Sequence, residues 1–205
     1  MNASLRILIS LLMAFAFIGG LAQADEQGEK GGQAHPKLEA AEWEAEMKIA
    51  TDMQRDATEI RNRVKELRKK LIPLEEEAQA EELATIEKIE AKEKELFTMV
   101  AKRMDRLSQQ TDDVKLSALC SLRAGQNYMR AEKYAEATQY FDKLAINKEL
   151  EAELRAQALY WNALSHERMI LMDDAKRLYK AITFEFPDSK WAKYARGRLT
   201  DPVFH

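Results

Sequence analysis

Three histidines and one cysteine are the side chains of this sequence best suited to metal binding or nucleophilic chemistry, and their spacing serves neither. His35, His166 and His205 fall in a polar stretch, a helical repeat and the C-terminal tail, and none stands at metal-ligand spacing from a second ligand. The chain has no Gly-rich phosphate loop and no nucleophile elbow. Its carboxylates are plentiful, but on helices of this composition they form solvated faces. Cys120 lies within an apolar helical pattern, where a lone cysteine reads as a small core residue rather than a reactive thiol. Catalysis is not expected, and neither a metal nor a cofactor is implied.

The pattern that does carry chemistry is one of recognition. From about Asp113 the chain presents Ala124-Gly125, Tyr128, Tyr134, Ala137 and Phe141; 38 residues after Ala137 comes Ala175, followed by Tyr179, Ile182 and Pro187. A small residue at Gly125, then at Ala163, lets two antiparallel helices approach closely. A second small residue on the partner helix, Ala137 and then Ala175, completes the contact, and an aromatic four residues later fills the space beside it. This is the logic of tetratricopeptide helix pairs. The spacing of 38 exceeds their usual period of about 34 and predicts a longer connection around Ile146 to Glu151. Asp188 or Ser189 can cap a last helix bearing Trp191, Tyr194, Ala195 and Leu199, which would cover the final apolar face.

In such arrays the first helix of each pair lines the concave face. That places Leu122, Gln126, Met129 and Arg130 there from the first unit and Tyr160, Leu164, Glu167 and Arg168 from the second. These eight are the candidate protein-binding residues, since Tyr and Arg make good interface anchors and Met adapts to its neighbours. The plainer alternative is that the preceding helices pack across this groove and bury Leu122, Tyr160 and Leu164 as ordinary core.

The elements that must position the groove begin further upstream. Arg6 followed by the apolar run Ile7 to Ile18 and the small-x-small site Ala22-Gln23-Ala24 has the layout of a signal peptide over 1–24. The run is too short for a membrane span, which needs about 20 residues. Cleavage there leaves an exported, most simply periplasmic, protein with no transmembrane segment and no cysteine for a lipid anchor. Residues 25–37 are polar and Gly-containing and read as a flexible linker.

Residues 38–110 read as two long helices split at Pro73, where a proline forces a kink or reversal. Met53, Ala57, Ile60, Val64, Leu67, Leu71 and Leu74 form a heptad seam on the first. Either one kinked helix assembles in parallel with copies of itself, giving a homo-oligomer, or the chain folds back as an antiparallel hairpin. Charge favours the hairpin. The net charges of 39–52, 55–70, 75–90 and 91–106 are −4, +4, −6 and +2, so folding at Pro73 sets opposite signs face to face along both halves. The fold class expected is therefore all-α: a coiled-coil-like hairpin over 38–110, a tetratricopeptide-like repeat domain over 111–199, and a tail over 200–205.

Composition agrees. Charged residues make up 33% of the 205, with only seven Gly and four Pro, as long helices require. A net charge of −3 lacks the basic excess that nucleic-acid binding demands.

The stretch AKRLYKAITFEFPDSKWAKYARGRL, Ala175 to Leu199, resembles the closing repeat of the periplasmic YbgF/CpoB proteins of the Tol-Pal system and of the BamD-like outer-membrane assembly proteins. The order of signal peptide, coiled-coil segment and C-terminal repeats is also similar to the YbgF group. The resemblance implies a periplasmic, non-enzymatic protein whose partners are envelope proteins. It extends over about Leu116 to Leu199. Two repeats are found here where that group has about three, and the missing lipid-attachment cysteine departs from BamD.

Overall fold

The computed structural model describes residues 36–71 and 76–204. The expected signal peptide, linker residues 25–35, the break at Pro73, His35 and His205 lie outside the described residues. Among the described residues the chain is all-helical, with seven α-helices and a closing 3-10 turn. They are α1 (Ala40–Leu71), α2 (Glu76–Gln109), α3 (Val114–Arg130), α4 (Tyr134–Ile146), α5 (Ala152–Arg168), α6 (Met172–Glu185) and α7 (Lys190–Leu199), then Pro202–Phe204. None of these helices is long and apolar enough to cross a membrane.

Helices α1 and α2 run antiparallel, because their cross-links climb one helix as they descend the other. Lys37 Nζ meets Asp112 at 2.9 Å, Trp43 Nε1 donates to the Leu107 carbonyl at 3.2 Å, and Arg103 meets Glu46 at 3.4 Å. Further along, Arg61 pairs with Glu93 at 2.5 Å and Arg68 with Glu90 at 2.8 Å. The seam residues Met53, Ala57, Ile60 and Val64 are all buried, as are Ile86, Ile89, Leu96, Phe97, Val100 and Met104 of α2. Apart from Ala57, each of these side chains taken out of water contributes roughly 1.5–3 kcal/mol. Packing therefore outweighs the exposed ion pairs of this contact, such as Lys37–Asp112, which are individually weak. The basic last turn of α1 (Arg68, Lys69, Lys70) also suits the negative end of its dipole.

From α2 onward each helix packs on the next in chain order, and α5 also touches α7. Asp113 starts α3, its Oδ1 accepting from the backbone N–H of Lys115 and Leu116 at 2.8 and 2.9 Å. Ser189 caps α7 by accepting from the Ala192 N–H at 3.0 Å. The connection from α4 to α5 spans 147–151, where the excess spacing placed it.

Two successive units have the same local geometry at an offset of 38. The α3–α4 turn reaches φ 61° at Glu132, and the α5–α6 turn reaches φ 63° at Ile170. The Lys133 N–H donates to Tyr128 O at 2.9 Å, and the Leu171 N–H donates to His166 O at 2.9 Å. Behind each turn a small residue is fully buried, Ala137 or Ala175, with an aromatic four positions on, Phe141 or Tyr179. Phe141 packs with Leu122, Leu144, Leu150 and Ala158. Tyr179 packs with Ala163, Ile182, Trp191 and Phe204.

Candidate partner-binding site

Leu122 faces α4 and belongs to the Phe141 core, so it offers no surface. The cluster that takes it up is built from α3, α4 and α5. Tyr160 is half-buried, its ring 5.2 Å from Trp191 and 5.7 Å from Tyr179 between centroids. Glu167 is held by a two-pronged ion pair with Arg198, at 3.1 and 2.5 Å, which fastens α5 to α7. Leu164 is half-buried.

The other four candidates come together. Gln126, Met129 and Arg130 of α3 and Arg168 at the end of α5 line one cavity of about 510 Å3. Its opposite wall belongs to the long helices: Arg61, Val64, Lys65 and Arg68 of α1, and Glu90, Glu93 and Lys94 of α2. Glu132, Tyr134 and Trp161 complete it. The recess lies where α1 and α3 are bridged by side chains. Asn127 Nδ2 donates to Gln54 Oε1 at 3.2 Å and to the Arg123 carbonyl at 2.8 Å.

Its electrostatics are uneven. Six cationic side chains line the cavity against three carboxylates. Each carboxylate has a partner: Glu93 takes Arg61, Glu90 takes Arg68, and Glu132 takes Lys94 at 2.5 Å. Lys65, Arg130 and Arg168 remain, none in an ion pair among the described residues. Arg61 and Arg130 both approach the Phe97 ring, with their guanidinium carbons 4.6 and 5.7 Å from its centroid. Arg61 also donates to the Arg130 carbonyl at 2.5 Å, and Arg130 Nη1 donates to Asn127 Oδ1 at 3.3 Å. Burial, and then the like charge of Arg61, lower the pKa of Arg130 from its ordinary value.

The two pocket carboxylates one turn apart on α2 respond oppositely. Burial pushes the Glu93 carboxyl above its usual range against the pull of Arg61. The hydrogen bond from Arg68 draws Glu90 below it. Elsewhere, burial raises the Cys120 thiol to about 11.

Comparison of the chain with family models, with curated proteins and with solved structures finds no match.

The repeat pattern pointed to the wall made by α3 and α5. It was silent on the wall made by α1 and α2, since that contact spans up to about seventy residues of chain, as between Arg61 and Arg130. One signal was available: Arg61 and Lys65 each follow a seam residue, Ile60 and Val64, so both had to lie at the edge of a buried interface.

Proposed function

We propose that this chain is a non-catalytic periplasmic adaptor that binds cell-envelope proteins, with tetratricopeptide-type helix pairs forming one side of its binding recess and the antiparallel α1–α2 pair the other. The observation carrying this reading is the convergence of Gln126, Met129, Arg130 and Arg168 on one cavity. One pair among them supports it further: Arg130 and Arg168 stand 38 residues apart, at equivalent positions of two units with the same turn geometry. The signal-peptide layout supports export, and the likeness of Ala175 to Leu199 to the YbgF/CpoB and BamD-like groups supports an envelope role, in Tol-Pal function or in outer-membrane and peptidoglycan maintenance. Burial of Met53, Ala57, Ile60 and Val64 within a single chain favours the adaptor over parallel self-assembly, which would need that seam for a second copy.

A second reading, a holdase-like chaperone, draws on Phe184, Ile170 and Ile146, which are 87%, 79% and 75% exposed. Co-purification separates the readings. Tagged full chain, expressed with its own leader, is recovered from envelope extracts beside a Gln126→Trp variant whose added bulk fills the cavity without changing charge. A defined partner set that the folded variant loses supports the adaptor. Recovery of copies of itself alone supports self-assembly, and recovery of a broad, variant-independent set of clients supports the chaperone.

A further inference from the structure

We propose that the recess between α1 and α3 takes an acidic segment of a partner protein, one in which carboxylates alternate with apolar side chains. The inference rests on the adaptor reading and adds the chemistry of the partner.

Charge count comes first. The three carboxylates of the recess are each matched by a cation, which leaves Lys65, Arg130 and Arg168 without an ion pair among the described residues. Arg130 is the most telling of them. Its side chain is half-buried, it sits beside the like-charged Arg61 over one ring, and its polar partner is a neutral amide. A guanidinium withdrawn from water without a counter-charge costs free energy that a bound carboxylate would recover. The fold maintains that cost at a concave surface, where a ligand can reach it.

The kind of anion follows from what lies between the cations. Glu90, Glu93 and Glu132 are interleaved with them, so a dense polyanion such as polyphosphate would bring negative charge against carboxylates wherever it met a guanidinium. An extended peptide avoids this. Its alternate side chains stand about 7 Å apart on one face, from a rise of about 3.3 Å per residue, so carboxylates can address single cations. The side chains between them turn to the other face of the extended chain, and because the recess is walled on two sides they too meet lining, which includes the apolar groups of Met129, Val64 and Trp161. A volume of about 510 Å3 accommodates a few such side chains and not a folded surface.

Fluorescence anisotropy of a labelled peptide of alternating Glu and Leu tests the assignment, with a Gln-for-Glu peptide as control and inorganic polyphosphate as competitor. Lys65→Glu/Arg168→Glu is the primary variant, because both residues are exposed and neither is in an ion pair among the described residues. Arg130→Gln, checked for native helicity, is the second. The acidic peptide should bind more tightly than the control, and each variant should weaken it by about tenfold or more, the scale of one lost charged hydrogen bond. Equal binding of the two peptides, no effect of either variant, or displacement by polyphosphate at lower concentration than by unlabelled peptide would overturn the proposal. Failure here is separable from failure of the adaptor reading: partners lost by Gln126→Trp yet retained by Lys65→Glu/Arg168→Glu leave the recess in use and its acidic ligand refuted.

Discussion

The ring of Phe141 occupies the place where a side chain on Gly125 would begin. A Cβ built on Gly125 would lie 2.6 Å from Phe141 Cε1 and 2.9 Å from Cζ, closer than such atoms approach. The small residue on α3 and the aromatic on α4 are therefore one feature, a helix contact made close enough that the ring lies against backbone. In the second unit Ala163 and Tyr179 hold the equivalent places, both fully buried.

Gly125→Ala should consequently destabilise the protein by about 1–3 kcal/mol, the usual cost of overpacking, even though alanine is the better helix former. Gly197 is the internal control, since nothing lies within 4 Å of a Cβ placed there. Gly197→Ala should stabilise by roughly 0.5–1 kcal/mol. Urea denaturation reads both. Adding Phe141→Leu to Gly125→Ala should give less than the sum of the single effects, because the smaller side chain relieves the clash. Additivity would mean that the ring is not what excludes the methyl group.

Cys120 should behave as core. Its thiol is buried and raised to about 11, so almost none is thiolate at neutral pH. Alkylation of the native protein should be far slower than that of a free thiol and should accelerate with urea in step with loss of helicity. Rapid labelling at pH 7.5 in native buffer would show that this part of α3 opens locally.

What the sequence made legible was periodicity and size. Helical spacing and the scarcity of Gly and Pro were enough for an all-helical chain, and the Gly125/Ala137/Phe141 and Ala163/Ala175/Tyr179 triplets are local rules that a pattern exposes. The candidate site was legible only by half. Gln126, Met129, Arg130 and Arg168 share a cavity. Leu122 and Glu167, assigned by the same offset, are instead taken up by Phe141 and its neighbours and by Arg198. An offset specifies which helix face a residue occupies; whether that face meets solvent or another helix depends on chain far away. Arg61, Phe97 and Glu93 enter the site by that route, and no spacing within α3 or α5 encodes them.

Glu90 and Glu93 should give opposite pH signatures. Glu90 has a folded pKa below its ordinary 4.5, so its stabilisation is present above that value and is lost as pH falls through the folded pKa. Glu93 has a folded pKa above 4.5, so its contribution is complete below that value and is lost as pH rises through the folded pKa. Relative to wild type, Glu93→Gln should therefore gain stability as pH rises from 4.5 through the folded pKa of Glu93. Glu90→Gln should regain stability as pH falls below 4.5, after costing about 0–1 kcal/mol near neutrality for an exposed pair with Arg68. Urea midpoints measured at intervals between pH 3 and 7 test both, and slopes of the same sign in the two variants would contradict the assignment.

Ile170 offers the cleanest test that the two turns are built alike. It holds φ 63°, in the left-handed region, where an L-residue costs roughly 1–2 kcal/mol and a β-branched one is especially ill-suited. Its side chain is largely exposed, so replacing it loses little packing. Ile170→Gly should stabilise the protein by about 0.5–1 kcal/mol, the relief of strain being partly offset by the greater freedom of glycine in the unfolded chain. Glu132→Gly, at the equivalent φ of 61°, should gain less, because Glu132 also pairs with Lys94. The order of the two variants in thermal unfolding is the observable. Destabilisation by Ile170→Gly would mean that the freedom glycine adds to the unfolded chain outweighs the strain it relieves, so that the left-handed turn costs the isoleucine little.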